Sequence, residues 1–246
     1  MEIQDYLQFT LPIVILELFA AIAGTYYLRK IPAINSAPKL LVSFLWFTFF
    51  IEIAGSYSPI AYFSDYEYFS FVKDTPFRRN SWLYNIYTII SAVFFVYYFS
   101  FYINSKIYKK VLLILSVLFV VTSIVNLALT DVFFKFESQY INLAGTFLMI
   151  LSIILFFFQL LKSDHILNLK RFLPIYVAIA VLIFYLCVTP ISIFSEYFKT
   201  STGNILFVDL HVHFLLYSNI FMYSFFILGF IICSRAKKYS TKKKSS

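Results

Sequence analysis

The sequence predicts an all-α polytopic membrane protein. It reads as a bundle of seven transmembrane helices, with the N-terminus outside and the C-terminus in the cytoplasm. Three observations carry this. First, the 246 residues are 61% hydrophobic and only 13% charged, with a mean hydropathy of +0.82, whereas a soluble domain is about 45–50% apolar and about 25% charged. Second, the apolar residues form continuous runs, such as Val111-Leu-Leu-Ile-Leu and Ile153-Ile-Leu-Phe-Phe-Phe, not the period-two alternation of a β-barrel. Third, Lys and Arg are sorted between alternate loops. With 5 Gly, 7 Pro and 2 Cys, collagen-like, disordered and disulfide-scaffold classes are excluded.

A membrane-crossing helix needs about 20 mostly apolar residues. Seven stretches qualify: 6–28, 40–57, 82–103, 111–129, 141–161, 172–194 and 205–233. They make one membrane domain over 1–233, followed by a basic tail over 234–246. Span 1 contains Ala20-Ala-Ile-Ala-Gly, which has the look of a cleavage site. The residues before it, Met1-Glu-Ile-Gln-Asp, are acidic where a signal peptide is basic, so span 1 is expected to be a retained helix.

Span 2 carries Glu52 and leads into the longest loop, 58–81. There Tyr62, Phe63, Tyr66, Tyr68, Phe69, Phe71 and Phe77 mix with Asp65, Glu67, Lys73, Asp74, Arg78 and Arg79. This composition suits an aromatic belt at the interface or a lid over a pocket. Span 3 contributes Asn85 and Thr88, span 4 Thr122 and Asn126, and span 5 Asn142 and Thr146. Span 6 contains Thr189-Pro190, whose proline is expected to interrupt the helix and free a carbonyl. Span 7 opens at Asn204 and carries Asp209, His211, His213, Tyr217 and Asn219. Cys187 and Cys233 are placed at depths too different for a disulfide.

Orientation follows from the cations. Of the 20 Lys and Arg, all but Lys73, Arg78, Arg79, Lys135 and Lys199 fall on one side or in the tail. The positive-inside rule makes that side cytoplasmic. The acidic residues show the reverse bias: Glu2, Asp5, Asp65, Glu67, Asp74, Asp131, Glu137, Glu196 and Asp209 lie outside or at the outer boundary, and Asp164 lies inside. The net charge of +8 therefore sets topology, and no nucleic-acid partner is expected. The tail can anchor topology against anionic lipid heads or meet a cytoplasmic partner.

Intramembrane polarity is costly and marks candidate sites. Glu17 lies at the centre of span 1, and Glu52 lies roughly 5 Å outside the centre of span 2 at 1.5 Å per residue. Each shares a helix face with small residues, Ala20, Ala21 and Gly24 for one and Gly55 and Ser56 for the other, which permits close packing. On span 7, Asp209, His213 and Tyr217 are spaced i, i+4, i+8 and share a face, so Asp209 can orient His213. His211 is expected to be interfacial. The candidate ligand-binding set is Glu17, Glu52, Asn85, Asn126, Asp209, His213, Tyr217 and Asn219. These polar residues line a pocket in the outer half of the bundle or serve as interhelical hydrogen-bond glue. No metal-type cysteine or histidine spacing, no phosphate-binding glycine loop and no hydrolase motif is present, and nothing specifies a cofactor.

Three readings stay open. The first is a non-catalytic receptor, sensor or accessory protein with an outer pocket for a small molecule or lipid. The second is a proton-coupled carrier or pore using Glu17 and Glu52. The third is an outer-leaflet lipid-modifying enzyme using Asp209 and His213. Heavy use of Phe, Tyr, Ile, Asn and Lys over Ala, Gly and Arg has the look of an AT-rich bacterial genome, so the expected address is the cell inner membrane.

Overall fold

A computed structural model of the chain describes residues 3–31, 36–195 and 205–242. Of the residues named above, Met1, Glu2, Glu196, Lys199, Asn204 and the last four residues of the basic tail lie outside these, as do the side chains of Asp5 and Asp164 and those of residues 236–242 in the tail. Among the described residues the secondary structure is entirely helical. The elements are α1 (Ile3–Lys30), α2 (Ser36–Gly55), α3 (Tyr57–Phe63), α4 (Ser81–Ser100), α5 (Lys106–Leu129), α6 (Val132–Lys135), α7 (Gln139–Leu161), α8 (Leu173–Ser195) and α9 (Ile205–Lys242). Short 3-10 turns cover Ser70–Val72, Pro76–Arg78 and Asp164–Arg171. Seven helical stretches are long and apolar enough to cross a membrane, with bounds close to the predicted spans. The chain is a multi-pass membrane protein. Its surface fits that solvent, since Phe50, Phe147 and Leu129 are 60%, 70% and 81% exposed, which water would penalise and lipid does not.

Three details differ from the sequence expectation. The second apolar stretch runs to Phe63, because α3 adds two turns after a break at Ser56. There the Ser56 hydroxyl and backbone N–H both donate to the Glu52 carbonyl. Pro190 does not interrupt its helix: α8 continues through it to Ser195, as α1 continues through Pro12. The last helix continues beyond 233 to Lys242, into the basic tail.

The described structure forms two compact units. Unit 1 comprises residues 1–8 and 50–155, and unit 2 comprises 9–49 and 156–246. In unit 1, α5 starts cleanly because the Ser105 side chain caps it, accepting from the Tyr108 N–H. Its inward stripe is Leu112, Ser116, Phe119 and Ser123, at intervals of four, three and four, while Leu113, Ile114, Val117, Leu118 and Val121 face outward. Two serines face in while Leu113 and Leu118 face out, so residue size and packing choose the buried face, as expected where the solvent is apolar. At Gly145 an added Cβ would lie 3.2 Å from both Ala92 Cβ and Phe119 Cζ, which measures how tightly α4, α5 and α7 meet.

In unit 2, Ala20 and Ala21 are fully buried, and a Cβ at Gly24 would lie 2.7 Å from Val42 and 3.1 Å from the Phe230 ring. The small-residue face predicted around Glu17 is thus the packing face of α1. Trp46 donates its indole N–H to Thr25 Oγ1 at 3.0 Å, tying α2 to α1. Cys187 and Cys233 are both free thiols.

Candidate functional site

Unit 1 carries a folded cap made of α3, the chain from 64 to 80, and the 130–138 connection with α6 at its centre. Its backbone is bound by side chains at many points. Tyr57 Oη donates toward the carbonyls of Phe77 and Arg79, at 2.6 and 3.0 Å, and Ser58 Oγ donates to Arg78 O. Asn80 donates to Gly55 O, Trp82 donates to Tyr57 Oη, and Arg79 reaches across to Lys135 O at 2.7 Å. Phe77 packs edge-on against both Trp82 and Phe134. Asp65, Tyr66 and Phe69 sit at φ 48°, 63° and 58°. This left-handed conformation costs roughly 1–2 kcal/mol for each side-chain-bearing residue, so the surrounding bonds hold the loop in a shape it does not prefer.

Asn85 and Asn126 belong to this cap. Asn85 is 2% exposed. It donates to the carbonyls of Phe133 and Phe136 and accepts from the Ser138 N–H. Asn126 accepts from Ser138 Oγ at 2.8 Å. Both amides therefore clamp the 130–138 turn, with the Asn85 amide fully occupied by backbone groups.

Glu52 accepts a 2.8 Å hydrogen bond from Tyr84 Oη. Gly55 makes the room for it: a Cβ there would lie 2.6 Å from that same oxygen. Glu137 adds a second carboxyl to this end. The residue is exposed, yet desolvation by the protein around it, together with repulsion from the Glu52 carboxylate, pushes its pKa above the ordinary value. Asp131 behaves oppositely, because the hydrogen bond and charge of Lys135 at 2.9 Å hold it below the usual range.

In unit 2, Glu17 is 2% exposed and accepts from Tyr223 Oη at 2.7 Å. On α9 the predicted face is present. His213 Nδ1 donates to the Asp209 backbone carbonyl at 2.8 Å and lies 3.2 Å from its carboxylate. A carbonyl only accepts, so Nδ1 carries a proton in this contact. The His213 ring meets Phe9 edge-on at 5.1 Å and Tyr217 at 6.2 Å. Tyr217 is 63% exposed, and Asn219 is buried and donates to Leu215 O within its own helix. His211 is half-buried on the same helix.

Thr88 and Thr122 likewise donate to carbonyls of their own helices. Among the described residues, no three His, Cys, Asp or Glu side chains gather as a metal site. The partners that sequence reasoning missed are Tyr84, Tyr223, Glu137 and Ser138. The tyrosines carried no distinguishing signal in a chain with 20 of them.

A cleft of about 560 Å³ opens in unit 1 beside the cap. Its walls come from Pro76, Arg78 and Arg79, from Leu127 and Thr130 at the end of α5, and from the turn through Phe133 and Phe134. That volume lies in the range of roughly 300–1,000 Å³ typical of ligand sites. Compared with known proteins, the chain matches no family model, no curated protein and no solved structure.

Proposed function

We propose that the chain is a non-catalytic membrane receptor, sensor or accessory protein that binds a small molecule or lipid at the outer end of its bundle. In this reading the N-terminus and the cap of unit 1 lie outside. The C-terminus and its basic tail lie in the cytoplasm, where the tail meets lipid heads or a partner. The membrane is a bacterial inner membrane. The sorting of Lys and Arg supports the orientation, and composition supports the address.

The observation that carries the binding role is the build of the cap. The 101–105 connection is short by contrast. In the cap the 57–80 and 130–138 segments are folded without a long helix, strained at three positions and pinned by side chains from α3, α4 and α5. Strained, over-determined loops on a rigid scaffold are where binding sites concentrate. Glu52, Asn85 and Asn126 act by shaping this cap. In unit 2, the Asp209–His213–Tyr217 face of α9, with Asn219 and Glu17 deeper in that unit, is the second candidate ligand contact.

The test is mass spectrometry of the full chain purified in mild detergent, with organic extraction of whatever it retains. The expected result is a stoichiometric non-protein ligand in the wild type that is depleted in Asn85→Ala, which loosens the 130–138 turn. A wild type that retains nothing, from cells or after incubation with membrane lipids, refutes the reading.

A further inference from the structure

We propose that the cleft between the Pro76–Arg79 turn and the 130–135 turn is a binding site for one anionic phospholipid, holding its phosphate on Arg78, Arg79 and Lys135 and its chain on Leu127, Phe133 and Phe134. The inference rests on the binding reading above and names the ligand class for this part of the cap.

The first argument is charge. On the cap side of the chain, Lys and Arg are rare, and the described ones are Lys73, Arg78, Arg79 and Lys135. Three of them line this one cleft. The fourth, Lys73, lies over the Tyr66 ring at 5.7 Å, and the guanidinium of Arg78 sits over the same ring at 5.3 Å. Positive charge on a side where acidic residues predominate is thus gathered at a single place.

The second argument is how those charges are partnered. Arg78 donates to the Tyr66 hydroxyl and Arg79 to the Lys135 carbonyl, and the Arg79 guanidinium lies over the Phe136 ring at 5.3 Å. Each partner is neutral, so each arginine is held in position while its charge stays uncompensated. A guanidinium has five N–H donors in a fixed fork, so each keeps donors for a phosphate, for which its geometry is suited. Asp131 also lines the cleft, and its carboxylate is engaged by Lys135 at 2.9 Å. The cleft therefore keeps a net positive charge, and the Lys135 ammonium, which has three donors, retains donors for a phosphate beside its contact with Asp131.

The third argument is place. Leu127 and Thr130 lie at the end of the membrane-length helix α5, so the cleft sits where a spanning helix meets the headgroup level. Phe133 and Phe134, half-buried in the cleft wall, present apolar surface beside the cations. An apolar wall in the same cleft as two fixed guanidinium groups matches a molecule with a phosphate at one end and an acyl chain at the other.

The test uses the full chain reconstituted in phosphatidylcholine vesicles containing spin-labelled phosphatidylglycerol, and reads the relative association of the labelled lipid. A surface cation attracts anionic lipid by about fivefold. The wild type should therefore prefer phosphatidylglycerol over labelled phosphatidylcholine by at least about fivefold. Arg78→Gln with Arg79→Gln should bring the ratio near one. Because Arg79 also ties the two turns together, Lys135→Gln is the second variant: its side chain is exposed, and it should lower the ratio by several-fold with the fold intact by circular dichroism.

No preference in the wild type overturns the proposal. A preference that survives in either variant overturns it too. Displacement of the labelled lipid by millimolar inorganic phosphate also overturns it, because a free anion would then be the ligand. A retained ligand whose binding ignores these three cations leaves the receptor reading standing and removes this one.

Discussion

Gly55→Ala tests the closest approach to a glycine among the described residues. The new Cβ would lie 2.6 Å from Tyr84 Oη and 3.0 Å from its Cζ. Tyr84 has little freedom to withdraw, since its hydroxyl is bonded to Glu52 Oε2 at 2.8 Å. Overpacking of this kind costs about 1–3 kcal/mol. Alanine recovers up to about 1 kcal/mol of helix propensity. A net loss of about 1–2 kcal/mol is expected. In a chain of this length that lowers Tm by about 2–8 °C.

Tyr84→Phe alone removes the hydrogen bond and leaves a half-buried carboxyl oxygen short of a donor, at about 1–2 kcal/mol. It also removes the atom that the new methyl strikes. The double variant should therefore cost less than the sum of the singles, by about 1 kcal/mol, within the coupling seen for residues in contact. The assay is thermal unfolding of the four proteins in one detergent. Additivity within about 0.5 kcal/mol, or a Gly55→Ala protein as stable as wild type, would refute the geometry.

Asn85→Ala should be the most damaging single change in the cap, at about 2–3 kcal/mol or more, because three backbone groups lose their partner at once. Asn85→Asp, which keeps the acceptor but sets a second oxygen against the two carbonyls, should rescue none of this loss in the same melting assay. Tyr223→Phe should destabilise by about 1–3 kcal/mol through loss of the bond to buried Glu17, and Glu17→Gln should be milder, since an amide can still accept from the tyrosine. Glu137 has a folded-state pKa above its ordinary value of 4.5. Its stabilising contribution is therefore fully present below the unfolded value and is lost as pH rises through the folded one. Melting temperatures of Glu137→Gln should gain on wild type as pH rises from about 4.5 upward, and a Glu52→Gln background should shrink that gain. A difference that is constant with pH would exclude the raised value.

The seven membrane-length helices were legible because length and apolarity suffice to identify them. Which face of each helix is buried was not. In α5 the inward residues include two serines and the outward ones are leucine, isoleucine and valine, so hydrophobic periodicity carries no inward signal. The polar residues were found, but pocket and glue look alike in a sequence. The role of Asn85 is decided by the carbonyls of Phe133 and Phe136, and backbone groups leave no mark on residue identity. Tyr84 lies 32 positions from Glu52 and Tyr223 lies 206 from Glu17, separations set by the bundle and not by any local spacing. Pro190 misled for a related reason: a proline breaks a helix when the freed carbonyl lacks alternatives, and packing in a membrane bundle supplies them.

The two intramembrane glutamates share one solution, each within its own unit. A carboxyl in an apolar helix accepts from a tyrosine of a distant helix, and a glycine further along the same helix, Gly55 for Glu52 and Gly24 for Glu17, lets the neighbour come close. Tyrosine suits this task because its ring packs as an apolar body while its hydroxyl supplies the donor. The arrangement links polarity to packing. Gly55 touches the hydroxyl itself, so the carboxyl at Glu52 keeps its partner only while the helix approach stays tight. At Glu17 the link is less direct, because Gly24 meets Val42 and the Phe230 ring and not Tyr223. A change in helix approach within unit 1 would therefore be felt at Glu52 as a lost hydrogen bond, and from there at Glu137, whose carboxyl answers to the Glu52 charge. That coupling, a packing contact at Gly55, a hydrogen bond at Glu52 and a charge interaction with Glu137, runs from a membrane-length helix to the cap within one unit.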